Sequence, residues 1–289
     1  PVWLTEKWTR EYGKDICLEM LKTSVGQAPV TARVNTAFHS LESTLDMLAE
    51  EGITFERLSV LPDCIRICGA GAVEHTKAYK EGRIHVQALS SQLCCAALDP
   101  KENDTVLDLC AAPGGKSTDA VASLPVGSLI VSNEVIPNRA HILAENIVKW
   151  GSPYCIVTRN EASAFGALEE YFDIIAADVP CSGEGMFRKD PAAITEWSAA
   201  NVAHCAERQR AILTDVWNAL RPGGLFIYST CTYNTEENEE MIGFLRKKFG
   251  AIPLTVDIDP AWNITPALVG DLPAYRFMPH RTRGEGLFM

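Results

Sequence analysis

Residues 106–117 read VLDLCAAPGGKS, in which a short apolar run passes directly into a loop of small residues. In an open α/β sheet, ligands bind beyond the carboxyl ends of the strands, and small residues there let a ligand approach the backbone. Further apolar runs lie at 128–132, 154–158, 172–177 and 225–229, with helix-length segments between them. This alternation predicts a doubly wound α/β domain with a parallel sheet.

The chain before this region follows a different pattern. A helical opening over 4–21 leads to a strand at 31–35, a helix over 41–51 and strand-like pieces at 53–60 and 83–86. These elements predict a small α+β module. We expect this module to span residues 1–90 and the doubly wound domain to span residues 91–289. The two are expected to pack against each other, because no Ser/Gly-rich linker separates them.

The composition excludes several classes of protein. Of the 289 residues, 47% are hydrophobic and 22% are charged, and no apolar run reaches the roughly 18 residues that a membrane helix requires. Residues 1–10 do not form a secretory signal, so the cysteines are expected to be reduced and the protein cytoplasmic. Cys64, Cys68 and His75 resemble half a zinc site, but no second ligand pair follows, and no metal is predicted.

Three classes of cofactor could bind at the loop after residue 109, and the sequence disfavours two of them. The dinucleotide fingerprint G-x-G-x-x-G is absent. Gly115–Ser117 resembles the end of a phosphate-binding P-loop, but Cys110 stands where the first glycine of that motif belongs. An adenosyl ligand without a pyrophosphate remains, which makes S-adenosylmethionine the predicted cofactor.

Acidic side chains follow three of the predicted strands. Glu134 ends the second strand, where a carboxylate can bond both hydroxyl groups of a ribose. Glu161 follows the third strand, and Asp178 ends the fourth. We expect the three side chains to line one edge of a cofactor crevice. The alternative is that each of them merely caps the helix that follows it.

Two cysteines follow neighbouring predicted strand ends: Cys181, in DVPCSGEG at 178–185, and Cys231, in STCT at 229–232. Thiols beside a methyl donor suit transfer to C5 of a cytosine, because a thiolate that adds to C6 makes C5 nucleophilic. A carboxyl group near N3 stabilises the charge that develops there, which suits Asp178. The alternative for either cysteine alone is ordinary packing in the core.

These motifs closely resemble those of the Sun (nucleolar protein) family of RNA cytosine-5 methyltransferases. The resemblance covers nearly the whole chain and is most specific at 108–116, 178–185 and 229–233. The bacterial small-subunit (16S) rRNA methyltransferases are the nearest members, and two of their subgroups match comparably. The resemblance implies a Rossmann-like S-adenosylmethionine-dependent methyltransferase domain preceded by an RNA-recognition-motif-like module. The chain begins without Met and ends within what resembles the family's last strand, so we expect it to be part of a longer protein.

The resemblance also implies a role for each matching residue. Cys231 would be the nucleophile that adds to C6, and Cys181 would assist release of the methylated base. Asp178 would hold the cofactor and also address the cytosine. The residues implied in cofactor binding are Cys110, Ala111, Ala112, Pro113, Gly114, Gly115, Lys116, Glu134, Glu161 and Asp178.

The expected partner is RNA, most specifically small-subunit rRNA or its assembly intermediate. The net charge of −11, from 26 basic and 37 acidic side chains, means that a local basic patch must hold it. Three basic clusters are candidates for that patch, although each can also be an ordinary solvated surface. They comprise Arg276, His280, Arg281 and Arg283; Arg188 and Lys189; and Lys77, Lys80 and Arg83.

Three functions follow in order of support. The first is an RNA (cytosine-5)-methyltransferase that acts on small-subunit rRNA through a covalent Cys–C6 adduct. The second is a noncatalytic RNA-binding or ribosome-assembly factor that retains the methyltransferase fold. The third, a dinucleotide-dependent oxidoreductase, is disfavoured by the missing glycine fingerprint.

Overall fold

The computed structural model describes residues 1–69, 72–282 and 284–289 of the chain. The first region contains the helices α1 (Val2–Tyr12), α2 (Lys14–Val25), α3 (Leu41–Glu50) and α4 (Lys77–Lys80) and the strands β1 (Val30–Val34), β2 (Thr54–Arg57), β3 (Cys64–Cys68) and β4 (Ile84–Val86). The strands form an antiparallel sheet in the order β2-β3-β1-β4.

The second region is built around a larger sheet. Its helices are α5 (Leu89–Cys95), α6 (Gly115–Ala122), α7 (Pro137–Trp150), α8 (Ala162–Phe165), α9 (Pro191–Glu196), α10 (Ala199–Val216), α11 (Glu239–Phe249) and α12 (Pro279–Thr282). Its strands are β5 (Thr105–Asp108), β6 (Leu129–Asn133), β7 (Cys155–Thr158), β8 (Phe172–Asp178), β9 (Leu220–Ser229), β10 (Arg276–Phe277) and β11 (Leu287–Phe288).

The larger sheet is parallel, in the order β7-β6-β5-β8-β9. The chain builds outward from β5 in one direction and then returns to add β8 and β9 on the other side. The predicted doubly wound α/β fold, preceded by a small α+β region, is therefore confirmed. Ligands bind at the point where strand order reverses in such sheets, which here lies at the carboxyl ends of β5 and β8.

Strand β8 shows why this sheet forms at the centre of the domain. Its sequence, FDIIAAD, is apolar almost throughout, as expected for a strand covered on both faces. Ile175 packs into one hydrophobic cluster and Ile174 into a second, so alternate side chains enter different cores. Burial on both faces fixes the strand, and therefore also the position of the residues that follow it.

Helix α7 supports the loop after β5. Pro137 occupies its first turn, and Gly151 ends it in the left-handed conformation with φ of +89°, which a residue without Cβ adopts readily. Leu143 and Ile147, on its buried face, contact the alanines of the loop at 111–112. The helix thus forms one wall under the predicted cofactor loop.

The structure differs from the predicted elements of the first region at two places. The helical opening over 4–21 is two helices, because the chain breaks at Gly13, where φ is +83°. Strand β3 was not predicted, although Ile65 and Ile67 alternate with polar neighbours and face the core of the first sheet. That alternation was the signal available in the sequence for this strand.

The opposite face of the first sheet docks onto the larger domain. Arg33, on β1, is 2% exposed; its Nη2 donates to Thr118 Oγ1 at 2.9 Å, and its Nε lies 3.3 Å from Asp119 Oδ2. Its guanidinium also lies over the ring of Trp150, 4.5 Å from the centroid. Because Thr118 and Asp119 belong to α6, the first region packs directly on the helix that follows the cofactor loop.

None of the helices in the part of the chain that the structure describes is both long enough and apolar enough to cross a membrane.

We expect Arg33→Met to destabilise the protein strongly, because it leaves the buried Asp119 carboxyl group without its cationic partner. Removing one member of a buried ion pair costs about 3–5 kcal/mol, whereas an exposed pair contributes about 0–1 kcal/mol. Arg57→Met, which breaks the exposed Arg57–Glu42 pair, is the matched control. Denaturant unfolding would measure both variants, and similar free energies of unfolding would contradict the docking role of Arg33.

Candidate active site

The loop between β5 and α6 is held from several sides. The backbone N–H of Ala111 donates to the Asn133 carbonyl at 2.8 Å. On the α7 side, Asn146 Nδ2 donates to the Pro113 carbonyl at 2.8 Å, and Arg139 Nη2 donates to the Ala112 carbonyl at 2.9 Å. The loop is therefore a rigid rim at the carboxyl edge of the sheet, as a site that presents backbone to a ligand requires.

Glu134 lies beside this rim and is buried. Its Oε1 accepts from the backbone N–H of Ile136 at 2.9 Å, which agrees in part with the capping alternative. Its Oε2 is buried and accepts no hydrogen bond within the described chain, although Arg139 Nη1 lies 3.3 Å away. A buried carboxylate oxygen without a donor is costly, so this atom fits a hydroxyl group of a bound ribose.

Asp108, the last residue of β5, was not among the predicted site residues. Its Oδ2 accepts from Ser117 Oγ at 2.6 Å, and its Oδ1 is a second buried oxygen that the described residues leave without a partner. Burial raises the pKa of this carboxyl group to about 6, and the hydrogen bond from Ser117 opposes that shift. The sequence signal for Asp108 was its position in the motif at 106–117, directly before the loop that we expect to hold the cofactor.

Asp178 and Lys116 join β8 to the cofactor loop. Lys116 Nζ donates to Asp178 Oδ2 at 2.7 Å, and Ser229 Oγ donates to Asp178 Oδ1 at 3.0 Å. Burial alone would lower the pKa of Lys116, but the adjacent Asp178 carboxylate more than offsets it and the pKa is raised. Since 34% of the Asp178 side chain is exposed, the carboxyl group remains partly open to solvent.

The structure brings the two predicted thiols into contact. Strands β8 and β9 pair with Asp178 opposite Ser229, so Cys181 and Cys231 leave the sheet side by side. Their sulfur atoms lie 3.3 Å apart, and both residues are half-buried. The hydrogen bond with Cys231 and burial raise the pKa of Cys181 well above its ordinary value. Either sulfur can donate the hydrogen bond that joins the two residues.

Glu161 is placed differently from the other predicted acids. It lies three residues after the end of β7, is exposed, and takes the N-cap position of α8 without a side-chain hydrogen bond to that helix. Of the three predicted acids, the structure thus buries Glu134, half-buries Asp178, and leaves Glu161 open to solvent.

The predicted basic patch is wrong for Arg276. This side chain is 3% exposed, and its Nη2 lies 2.5 Å from Glu239 Oε2, so it fixes β10 to α11 instead of meeting solvent. Arg188 donates to the carbonyls of Gly26 and Gln27 at 2.8 and 2.7 Å. Lys189 pairs with Glu285.

The other members of the three clusters give a mixed result. Lys77, Lys80 and Arg281 are exposed. Arg83 is half-buried and pairs with Glu81, His280 is half-buried, and Arg283 lies outside the described residues. No group of three or more potential metal ligands occurs among the residues that the structure describes.

A buried polar cluster behind the thiols was missed by sequence reasoning. Its members, all 7% exposed or less, are Ser182, Gln209, Thr232, Asn234 and Glu237. We call this set the Glu237 cluster. The sequence around Glu237, NTEENEE, looks like the acidic first turn of α11, which begins at Glu239, so an inward-facing carboxyl group was not expected.

Comparison with known proteins follows the same division of the chain. Residues 95–289 match the family model "16S rRNA methyltransferase RsmB/F". Residues 1–74 match a model of the ferredoxin-like domain of RsmF/B-like methyltransferases.

Among curated relatives, ribosomal RNA small subunit methyltransferase F of Pectobacterium carotovorum is 37% identical over 224 residues, which cover 75% of this chain and 46% of that one. The enzyme of the same name from Vibrio parahaemolyticus is 35% identical over 227 residues, covering 75% and 47%. The chain thus spans about half the length of the curated relatives it matches.

Two solved structures from Pyrococcus horikoshii superpose on nearly all of the chain. A methyltransferase homologue has a TM-score of 0.80 at 25% identity and covers 98% of this chain and 92% of that one. NSun6, solved with SFG, has a TM-score of 0.89 at 22% identity and covers 100% and 96%, which supports the fold alone.

The S-adenosylmethionine cofactor predicted from the loop is confirmed by the family match, and it agrees with the buried Glu134 oxygen that accepts no hydrogen bond among the described residues. Because the family model covers 195 residues, from 95 to 289, the resemblance predicted from the motifs is also confirmed. The chain belongs to the RsmB/F family of 16S rRNA methyltransferases.

Proposed function

We propose that this chain methylates C5 of a cytosine in RNA, specifically in small-subunit rRNA, through a covalent adduct between Cys231 and C6 of the base. The observation that carries the proposal is the 3.3 Å contact between the sulfur atoms of Cys181 and Cys231, which follow the carboxyl ends of β8 and β9. The two cysteines form no disulfide. In such a pair, one thiol can donate a hydrogen bond to the other sulfur each time that sulfur is released from a covalent bond to the base.

The contact supports Cys231 as the nucleophile. The hydrogen bond with Cys231 and burial raise the pKa of Cys181, which favours its thiol form over its thiolate. In this proposal Cys181 is the donor of the hydrogen bond, and a thiol that donates to a neighbouring thiolate stabilises it. The Cys231 thiolate adds to C6, and the π electrons of the C5=C6 bond move toward N3.

Asp178 is the group that faces the ring as this charge develops. Lys116 and Ser229 hold its two oxygens, so the carboxyl group is oriented before the base arrives. S-adenosylmethionine, held by the loop at 110–116 and by Glu134, supplies an electrophilic methyl group to C5 when it is bound. Glu161, which is exposed after β7, stays a proposed contact to the cofactor.

Cys181 serves the release step in this proposal. The proton on C5 passes to water, the C5=C6 bond re-forms, and the C6–S bond breaks with its electron pair returning to the Cys231 sulfur. The Cys181 thiol, 3.3 Å away, donates a hydrogen bond to that departing thiolate. A hydrogen bond to a charged group is worth about 1.5–3 kcal/mol, enough to change the rate of release at least tenfold.

The RNA must be held by a limited basic surface. Lys77, Lys80 and Arg281 remain exposed and support the RNA proposal, while the overall charge of −11 opposes loose binding. The target base must be unstacked and turned into the crevice, at a cost of a few kcal/mol. The division of the chain into a module over residues 1–90 and a catalytic domain over residues 91–289 stays part of the proposal, although residue 90 falls in the first turn of α5.

Substitution of the two thiols separates their roles. Cys231→Ala is expected to abolish transfer of labelled methyl groups to 16S rRNA, because it removes the sulfur that adds to C6 in this proposal. Cys181→Ala is expected to slow turnover about tenfold or more and to accumulate a protein–RNA adduct stable in denaturing gels. Cys205→Ala, which removes a cysteine on α10, is the control. Methylation that persists without Cys231 contradicts the mechanism, and binding of RNA and cofactor without any transfer by the wild type favours the noncatalytic alternative.

Glu134→Gln is expected to weaken binding of S-adenosylmethionine about 10- to 100-fold, because a neutral amide replaces the charged acceptor for the ribose hydroxyls. Titration calorimetry measures the dissociation constant. Glu145→Gln, at an exposed position on α7, is the matched control and is expected to change the constant less than about threefold. Equal weakening by both substitutions would contradict the assignment of the ribose site to Glu134.

A further inference from the structure

The loops that carry the two thiols are joined by the Glu237 cluster. The carboxyl group at its centre belongs to a residue that is 0% exposed. A buried carboxyl group is costly unless hydrogen bonds compensate for the loss of water, so such a group calls for an explanation in structural or functional terms. All three hydrogen bonds made by the side chain are donated to it, from Ser182, Gln209 and Asn234.

On one side the carboxyl group holds the loop of Cys181. Its Oε2 accepts from the backbone N–H of Ser182 at 2.9 Å and from Gln209 Nε2 at 2.8 Å. Gln209 Nε2 also donates to the Pro180 carbonyl at 2.9 Å. The residues immediately before and after Cys181 are thus fixed by one carboxyl group and one amide.

On the other side it holds the loop of Cys231. Asn234 Nδ2 donates to Glu237 Oε1 at 2.8 Å, and the backbone N–H of Glu237 donates to Asn234 Oδ1 at 2.9 Å. Asn234 Nδ2 also lies 3.0 Å from the Oγ1 of Thr232, the residue after Cys231. Ser182 Oγ and Thr232 Oγ1, 3.0 Å apart, complete the connection between the two loops.

We propose that Glu237 is a positioning residue for the release step: it holds the two thiol-bearing loops together and presents the Cys181 thiol to the sulfur that leaves C6. This inference rests on the proposed function, because it concerns the departure of Cys231 from the methylated base. Glu237 does not touch the reacting atoms. It acts through the backbone on either side of Cys181 and through its charge.

The negative charge of Glu237 supports the same role as its hydrogen bonds, because it favours the protonated form of the Cys181 thiol. After the hydrogen bond with Cys231, burial and the charge of Cys231, the negative charge of Glu237 also raises the pKa of Cys181. Loss of that charge would therefore let Cys181 lose its proton at lower pH. Other titratable or charged groups around this point are Asp178 on β8, Lys116 on α6, Tyr228 on β9, Tyr233 in the loop after β9, Glu184 in the loop after β8, and Cys205 and Arg210 on α10. Lys116 is paired with Asp178, Lys7 with Glu184 and Arg210 with Glu240.

The test compares Glu237→Gln with Glu237→Asp. The adduct is formed on 16S rRNA with the methyl donor present, and its decay is followed in denaturing gels as a function of pH. Glu237→Gln removes the charge, so the rate of adduct release is expected to fall roughly tenfold. The release rate also declines at high pH as Cys181 loses its proton, and in this variant we expect that decline to begin at a lower pH than in the wild type. Glu237→Asp keeps the charge but is one methylene shorter. It is expected to slow release while keeping the decline where the wild type has it.

Glu236→Gln, at the exposed neighbouring position, is the control and should leave release unchanged. Cofactor titration reports whether each variant is folded, and if Glu237→Gln does not fold, release by Glu237→Asp decides. A wild-type rate and pH profile in the folded Glu237→Gln, or a wild-type rate in Glu237→Asp, would overturn the proposal while leaving the methyltransferase assignment intact. Absence of methyl transfer by the wild type would overturn both.

Discussion

The register between β8 and β9 is the constraint on which the crevice depends. Asp178 pairs with Ser229, so the two strands end at the same level and release their loops side by side. Parallel strands buried on both faces resist slippage, because a shift by one residue would exchange the side chains of the two cores. Without that register, neither the Asp178–Ser229 hydrogen bond nor the contact between the sulfur atoms would form.

Close approach of the two loops also requires a residue without a side chain. The backbone N–H of Gly185 donates to the Cys231 carbonyl at 2.7 Å, and a Cβ at this glycine would lie 2.5 Å from the same oxygen. The side chain of Glu184, the residue before Gly185, contacts helix α1. Its Oε1 lies 3.0 Å from Lys7 Nζ, and its Oε2 accepts a hydrogen bond from Trp8 Nε1 at 3.3 Å. Helix α1 is therefore tied to the loop that carries Cys181.

Much of the fold was predictable from the sequence, because it follows from strong local patterns. The five parallel strands are apolar runs, and the cofactor loop and both thiols lie at strand ends, where topology alone brings them to one edge. The predictions fell short where long-range pairing decides the outcome. From the sequence, Arg276 is indistinguishable from an exposed cation, but in the structure it is buried in a pair with Glu239. Glu237 likewise reads as an acidic residue at the start of a helix, but its carboxyl group accepts a hydrogen bond from the backbone of the Cys181 loop. Such pairings join residues that are distant in sequence, and no local signal reports them.

The central claim is that the Cys231 sulfur, and not that of Cys181, forms the bond to the base. Trapping with 16S rRNA that contains 5-fluorocytosine tests it most directly, because fluorine in place of the C5 hydrogen prevents the elimination that frees the enzyme. Mass spectrometry of the digested complex would then locate the modified cysteine. We expect a nucleotide adduct on the peptide that contains Cys231, and an adduct on the peptide that contains Cys181 would contradict the proposed mechanism.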